Sequence, residues 1–285
     1  MLSRAATAAL ILMAGLSASR TIASAQEGIV VESVLDIPYA GESSDRRFQV
    51  LDVHHPAGAE GLPVVFFIHG GAFHMSDKRD EQYYPQTGER LAREGWVAVL
   101  PNYRLSPQVR YPEHARDIAA ALVWTFDNIA DYGGDPAEVF VTGHSAGGFL
   151  AAAVALDRAL LGELGKSPDA IRGVIPLCGQ FQVIDEGREE TFGTDPDRWP
   201  GFSPLSHVRE DAPPFLIVEA VGDDWWAPGQ AEVLRDALLD AGVRTEFQEL
   251  DHDHFTIITD MGSEEDPVMG LYRAFVGRYG LRPGR

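Results

Sequence analysis

The sequence predicts an α/β protein with an eight-stranded, mostly parallel sheet and helices on both of its faces. From residue 26 onward, apolar runs of strand length alternate with stretches that have the apolar spacing of helices. Some of these runs, such as residues 64–68, are continuously apolar, which is typical of strands covered on both faces. Such alternation favours parallel strands, with ligands bound beyond the carboxyl ends of the strands.

Eight segments have the length and composition of strands. The first two are expected to form an antiparallel edge of the sheet. The candidate strands are residues 30–37, 48–53, 64–68, 96–100, 139–142, 173–177, 215–221 and 245–250.

Five segments have helical patterns, and glycines follow three of them as C-cap signals. The candidate helices are residues 81–93, 112–131, 146–161, 228–241 and 267–279. Asp135 and Pro136 have the pattern of a helix N-cap followed by proline at the first helical position. A short turn is therefore expected just before the strand at 139–142.

Composition and charge limit the kinds of partner. The 285 residues are 45% hydrophobic and 23% charged, which is an ordinary globular mixture. A formal net charge of −20 argues against nucleic acid and against anionic membrane surfaces as partners. Cys178 is the sole cysteine, so no intramolecular disulfide can form, and its apolar surroundings favour a buried structural thiol. The sequence leaves the oligomeric state open.

The first 25 residues have the pattern of a signal peptide. Arg4 supplies a positive charge, residues 5–16 are apolar but short for a membrane span, and residues 23–25 offer a small-x-small cleavage site. We therefore expect residues 26–285 to form one catalytic domain that is exported to the periplasm or secreted. An uncleaved N-terminal anchor is the alternative. No later apolar run is long enough to span a bilayer.

The strongest chemical motif is G-H-S-A-G at residues 143–147. It follows a candidate strand and opens a helix of small residues, the context in which a serine nucleophile sits on a sharp turn. Gly143 and Gly147 remove side chains that would collide with neighbouring elements. Ser145 is therefore the predicted nucleophile, held at a helix N-terminus where developing negative charge is favoured.

A second glycine motif, H-G-G-A-F at residues 69–73, follows another candidate strand. Two glycines there allow backbone amides to approach a ligand closely. The amides of Gly70 and Gly71, with that of Ala146, are the predicted oxyanion hole. Phe73, His74 and Met75 follow the two glycines, just past the loop that they form, and are expected to contact substrate.

These motifs carry a family resemblance. H-G-G at 69–71, N-Y-R-L-S-P at 102–107 and G-H-S-A-G-G at 143–148 occur in this order. From about residue 51 to its end, the chain resembles the α/β-hydrolase superfamily. It is similar to small carboxylesterases grouped with hormone-sensitive lipase, and closer to feruloyl-esterase-like and kynurenine-formamidase-like members. The resemblance implies hydrolysis of an ester or amide-like acyl bond through an acyl-enzyme, with neither metal nor cofactor.

The base and the acid should follow the serine along the chain, the acid first. His254 is favoured over His252 as the base, because Asp253, His254 and Phe255 resemble the D-H-F of formamidase-like relatives. The acid should follow the strand at 215–221, where Asp223 and Asp224 are both candidates. The family places a proline four residues beyond the acid, which favours Asp224. The family also places a glycine three residues before the acid, but Gly222 lies only two residues before Asp224.

The sequence thus predicts a serine hydrolase that acts on small or medium carboxylic esters, with no large lid domain. Residues 185–211 are polar and form at most a modest excursion over the site. Trp225 follows the acid and either lines an aromatic pocket or packs on the next helix. The alternatives are an arylformamidase, a peptidase, for which the expected extra domain is lacking, and a catalytically silent binding protein.

Overall fold

The computed structural model describes residues 28–41, 45–84, 86–184, 188–225, 229–261, 263 and 266–280, so the predicted signal peptide lies outside the described residues. The described chain forms one sheet of eight strands in the order β1-β2-β4-β3-β5-β6-β7-β8. The strands are β1 Val31–Pro38, β2 Val50–Pro56, β3 Leu62–Ile68, β4 Val97–Pro101, β5 Gly134–His144, β6 Ile171–Leu177, β7 Phe215–Gly222 and β8 Thr245–Asp253.

The predicted antiparallel edge is confirmed. Strand β1 pairs with β2 and β2 with β4, both antiparallel, whereas β4, β3, β5, β6, β7 and β8 are parallel neighbours. All parallel strands therefore end at the same edge of the sheet, where loops from distant parts of the chain meet.

Helices connect the parallel strands, and two of them are much shorter than the sequence predicts. The helices are α1 Thr87–Arg93, α2 Glu113–Asn128, α3 Ala146–Leu156, α4 Arg158–Gly162, α5 Glu189–Phe192, α6 Gln230–Asp240, α7 Thr256–Thr259 and α8 Pro267–Tyr279. Helix α1 begins beyond Pro85, consistent with the bias of a proline against helix at the residue before it. The predicted helix at 146–161 divides at Asp157, whose side chain accepts the Ala159 amide and caps α4.

The predicted N-cap at Asp135 and Pro136 is wrong. Both residues belong to β5, which already pairs with β3 at Gly134 and Leu62. The Asp135 carboxylate does accept a nearby amide, that of Ala137, at 2.9 Å. This local bond is the one expected of an N-cap, but it lies in an irregular part of β5, where the register with β3 shifts between the pairs Leu62–Gly134 and Val64–Val139.

The core lies in two layers, one on each face of the sheet. On one face, α3 is buried along its whole length, as its alanine-rich sequence predicts. On the other, α8 contributes buried aromatic residues, among them Tyr272 and Phe275. No helix in the described part of the chain is long and apolar enough to cross a membrane.

The polar excursion after β6 is small and packed down. It contains α5 and two 3-10 turns, Pro196–Phe202 and Pro204–His207. The rings of Phe192 and Phe202 lie 5.6 and 5.1 Å from that of Tyr111. Within the described residues the protein has no large lid domain, as predicted.

Candidate active site

Ser145 lies at a strained turn between β5 and α3. Its backbone angles are φ 59° and ψ −120°, a conformation that a non-glycine residue rarely adopts. The turn depends on its glycines: a Cβ on Gly143 would lie 2.5 Å from the carbonyl carbon of Gly147, and one on Gly147 would lie 2.1 Å from the Ile68 oxygen. The structure thus places the serine where the motif predicts it.

The predicted base meets the predicted nucleophile. His254 follows directly after β8, and its Nε2 lies 3.0 Å from the Ser145 Oγ. Its Nδ1 lies 2.7 Å from an oxygen of Asp223. His252, the alternative base, lies within β8 itself. The three side chains Ser145, His254 and Asp223 form the hydrogen-bonded arrangement of a catalytic triad.

The preference for Asp224 over Asp223 is wrong. The side chain of Asp223 is 3% exposed and bonds to His254, whereas Asp224 is exposed. Just beyond the end of β7, the Asp223 amide bonds to the Ala220 carbonyl and the Asp223 carboxylate accepts the Trp225 amide. This turn directs the first aspartate inward. Proline spacing along the chain contains no information about the direction of either side chain.

The Asp223 carboxylate is stabilised in its charged form. Burial opposes ionisation, but hydrogen bonds from His254, the Trp225 amide and the Cys178 thiol outweigh it and lower the pKa of Asp223. Burial raises the pKa of the Cys178 thiol well above its usual value, so the thiol keeps its proton and donates. An ionised acid that accepts from Nδ1 fixes the histidine tautomer in which Nε2 can accept the serine proton.

Cys178, Asp223 and His254 offer one ligand atom each within 4.8 Å of one another, a spacing also compatible with a metal ion. Hydrogen bonds account for the cluster, since the imidazole and the thiol both donate to the carboxylate.

Glu219 adds a titratable group that sequence reasoning missed. It lies on β7, opposite Glu249 of β8. Burial, together with the negative charges of Asp223, Glu232 and Glu249, raises the pKa of Glu219 to about 8. The negative charge of Asp223 thus raises the pKa of a glutamate on β7, the strand that precedes it.

The loop after β3, which contains two of the three predicted oxyanion donors, differs from the prediction at Gly70. The Gly70 amide donates to the Tyr84 hydroxyl at 2.6 Å, so in this structure it is engaged within the protein. The Gly70 carbonyl accepts from His69 Nδ1 at 2.8 Å and from the Tyr103 hydroxyl at 3.2 Å. In a trans peptide the following N–H points opposite to this carbonyl, so both bonds also fix the Gly71 amide.

Gly71 and Ala146 remain as the candidate oxyanion donors. Gly71 borders the cavity above Ser145. Ala146 is the first residue of α3, where a backbone amide has no partner within its own helix. Two amides beside Ser145 match the requirement for stabilising a tetrahedral oxyanion.

A cavity of about 80 Å³ opens above Ser145. Two larger cavities, of about 530 and 180 Å³, contain no triad residue, so size alone does not identify the site. Trp225 lies on the cavity, where its ring stacks on that of His254 at 5.4 Å. The cavity is mostly apolar, and its lining residues are Gly71, Ala72, Met75, Tyr83, Tyr84, His144, Ser145, Trp225, His254 and Phe255.

Phe73 and His74 do not border this cavity, contrary to the prediction. Positive φ angles at Ala72 and Phe73, 52° and 68°, turn the chain after the oxyanion loop. Phe73 is buried there with Phe149, at a ring distance of 5.5 Å. His74 bonds to the Thr191 hydroxyl. Met75, which is 58% exposed, does border the cavity, as predicted.

This site defines a class of protein. A serine on a strained turn after β5, an acid after β7 and a histidine after β8, on a mostly parallel eight-stranded sheet, are the features of an α/β-hydrolase. One family model, BD-FAE, matches residues 51–174. Another, described as the prolyl oligopeptidase family, matches residues 113–257, half of the chain, and the protein belongs to this family of α/β-hydrolases.

Two relatives with curated names are an esterase and a probable ester hydrolase. Esterase LipQ of Mycobacterium tuberculosis is 32% identical over 237 residues, which are 77% of this chain and 56% of LipQ. A probable carboxylic ester hydrolase of the same organism, LipM, is 31% identical over 198 residues, 62% of this chain and 44% of LipM. The chain thus spans about half the length of these two relatives.

Solved esterase structures share the fold. Esterase B from Lactobacillus rhamnosis superposes with a TM-score of 0.73 at 22% identity, covering 87% of this chain and 88% of that one. An esterase from Pyrobaculum calidifontis superposes with a TM-score of 0.69 at 23% identity, covering 87% of this chain and 86% of that one. At this identity the likeness establishes the α/β-hydrolase fold alone.

Proposed function

We propose that the protein hydrolyses carboxylic esters through an acyl-enzyme formed on Ser145. The observation that carries the proposal is the continuous hydrogen-bonded chain from Ser145 through His254 to Asp223, with contacts of 3.0 and 2.7 Å. The relatives LipQ and LipM, named as esterase and probable ester hydrolase, support the same reaction.

Acylation follows from this geometry. His254 Nε2 takes the Ser145 proton as Oγ forms a bond to the ester carbonyl carbon. The carbonyl π electrons move to oxygen, and the amides of Gly71 and Ala146 stabilise the resulting oxyanion. Asp223 stabilises the imidazolium. When the oxyanion collapses, the bond to the alkoxy group breaks, and the leaving alcohol receives the proton from His254.

Deacylation repeats these steps with water. His254 removes a proton from a water molecule, whose oxygen attacks the acyl carbon of the Ser145 ester. The second tetrahedral intermediate collapses with cleavage of the bond to Oγ, and Ser145 recovers its proton from the imidazolium. The carboxylic acid leaves and the enzyme returns to its starting state.

The cavity favours small or medium esters. A volume of about 80 Å³ next to Ser145 accommodates a short acyl group, and its lining is mostly apolar. Trp225 is half exposed at its edge, where a larger alcohol portion can extend into solvent. The family name alone suggests peptide cleavage, but the names of LipQ and LipM favour esters.

The proposed nucleophile is tested by the Ser145→Ala variant with p-nitrophenyl acetate and with a fluorophosphonate label. Loss of the hydroxyl removes the group that forms the acyl bond, so we expect turnover to fall by about 10⁶-fold and labelling to disappear. Circular dichroism should show an intact fold. Substantial turnover by this variant would contradict the assignment.

A matched control exists within the chain. Ser106 Oγ also contacts a histidine nitrogen, that of His114, at 3.1 Å in a buried setting. Burial lowers the pKa of His114 to about 3. The folded Ser106→Ala variant should keep its fluorophosphonate labelling.

Turnover of N-formylkynurenine far above that of esters would favour an arylformamidase, and no turnover or labelling of the wild type would favour a silent binding protein.

We also propose that the protein is exported. The support is the sequence pattern of residues 1–25, which resembles a cleavable signal peptide. N-terminal sequencing of the protein from fractionated cells tests this proposal. A mature chain that begins near Gln26 outside the cytoplasm is expected, and an intact Met1 would contradict cleavage.

A further inference from the structure

We propose that Tyr84 and His144 are positioning residues. They connect the loop after β3, which contains Gly70 and Gly71, to the loop after β8, which begins with His254. The inference builds on the proposed ester hydrolysis and assigns a task to two side chains outside the triad. Both are buried and both border the cavity above the serine.

Three hydrogen bonds form a continuous path. The Gly70 amide donates to the Tyr84 hydroxyl at 2.6 Å. The same hydroxyl lies 3.1 Å from Nδ1 of His144. Nε2 of His144 lies 2.6 Å from the backbone carbonyl oxygen of His254. The path joins the loop after β3, the turn that carries Ser145, and the loop after β8.

The direction of each bond follows from donor counting. Because an amide can only donate, the Tyr84 hydroxyl accepts from Gly70 and has its own proton left for His144 Nδ1. Because a carbonyl can only accept, His144 Nε2 carries a proton and donates to His254. With the hydroxyl donating to Nδ1, the imidazole is neutral and carries its proton on Nε2. Burial favours this state, since it lowers the pKa of His144 to about 3.

The path acts on both parts of the catalytic arrangement. At one end it holds Gly70, which shares a peptide group with the proposed oxyanion donor Gly71. At the other end it holds the backbone of His254, whose ring must lie within hydrogen-bonding reach of Ser145. A displacement of about 1 Å between reacting groups can lower a rate about 100-fold, so small backbone shifts matter here.

The simpler interpretation is that Tyr84 only fills space, since its ring also packs edge-on against Phe67. Tyr84→Phe distinguishes the two, because it keeps the ring and removes the hydroxyl. In this variant the Gly70 amide and His144 Nδ1 both lose their partner. We expect kcat for p-nitrophenyl acetate to fall by about 10-fold to 100-fold, with KM within about twofold.

Tyr272→Phe is the matched control. Tyr272 is equally buried and its hydroxyl contacts Thr142, but it lies on α8, away from the cavity. It should lower thermal stability to a similar extent as Tyr84→Phe while leaving kcat within about twofold. An unchanged kcat in the folded Tyr84→Phe variant would overturn the proposal.

Coupling between the two residues is tested by a double-mutant cycle. If the two residues form one path, Tyr84→Phe should lower kcat less in the His144→Ala background than in the wild type, because only the Gly70 bond then remains to be lost. His144→Gln, which restores an amide donor for the His254 carbonyl, should be more active than His144→Ala. Fully additive losses, or no rescue by glutamine, would overturn the coupling.

The protonation state of His144 can be measured in the wild-type protein, so this test does not depend on the folding of any variant. Nitrogen NMR of ¹⁵N-histidine-labelled protein should show His144 neutral and protonated on Nε2 from about pH 5 to about pH 9. A charged ring or a proton on Nδ1 would contradict the path. This result does not depend on turnover, so failure of the network and failure of the proposed ester hydrolysis can be told apart.

Discussion

At the scale of single residues, two adjacent aspartates have opposite surroundings. Asp223 accepts hydrogen bonds from His254 and from the Trp225 amide, and its side chain is almost fully buried. Asp224 is exposed. In the proposed reaction, Asp223 orients the imidazole and stabilises its charged form. Exposure of Asp224 leaves it no such role.

Substitution of these neighbours gives a sharp comparison. Asp223→Asn should lower kcat for p-nitrophenyl acetate by about 10³-fold to 10⁴-fold, because an amide favours the wrong histidine tautomer. Asp224→Asn makes the same chemical change one residue away and should stay within about twofold. Steady-state kinetics of both variants test this prediction. A large loss of kcat in Asp224→Asn with little loss in Asp223→Asn would show that Asp224, which the proline spacing favours, is the acid.

Glu219 predicts a pH dependence of stability. In the folded protein its pKa is raised from 4.5 to about 8 by burial and by neighbouring carboxylates. The folded state therefore binds this proton more tightly than the unfolded state. Its contribution to the free energy of unfolding is full below pH 4.5, falls as the pH rises, and is lost by about pH 8.

Glu219→Gln should reduce this decline, because the amide is neutral at every pH. Urea unfolding at about pH 5 and about pH 8 measures the difference. Glu210→Gln changes an exposed glutamate outside the cluster and should leave the wild-type decline in place. The account of Glu219 is wrong if the wild type and Glu219→Gln lose the same stability over this interval.

At the scale of elements, the site depends on how closely α3 approaches β3. Gly147, in the first turn of α3, leaves space for the Ile68 carbonyl, which would lie 2.1 Å from an added Cβ. Gly270 lies in α8 with nothing within 4 Å of an added Cβ. The same substitution should therefore have opposite effects at the two positions.

Gly147→Ala should destabilise the protein by about 1–3 kcal/mol or more, because a methyl group cannot fit without moving the helix or the strand. Gly270→Ala should stabilise it by about 0.5–1 kcal/mol, since alanine has less freedom to lose on forming a helix. Chemical denaturation of both variants tests the pair. A neutral Gly147→Ala would mean that the approach of α3 to β3 is not tight.

Much of the element structure could be predicted, because it depends on local patterns. Apolar runs and glycine stops gave the eight strands and most helices. The pattern at Asp135 misled because the expected side-chain bond does form, but within an irregular part of β5 and not at the start of a helix. A single sequence does not show which strand lies alongside.

At the scale of the whole molecule, the site assembles because the parallel strands end at one edge of the sheet. The motifs predicted Ser145 and His254, since each follows a recognisable strand. They did not predict the inward turn of Asp223, the burial of Phe73 or the path through Tyr84. These features depend on backbone direction and on contacts between segments far apart in the chain.

The proposed function depends on a covalent acyl intermediate formed on Ser145. Rapid acid quenching of the wild type with p-nitrophenyl acetate, followed by mass spectrometry of its peptides, tests it most directly. We predict an acetyl group on the peptide that contains Ser145, absent from Ser145→Ala treated in the same way. Ester hydrolysis with acetylation at another residue, and none at Ser145, would contradict the account.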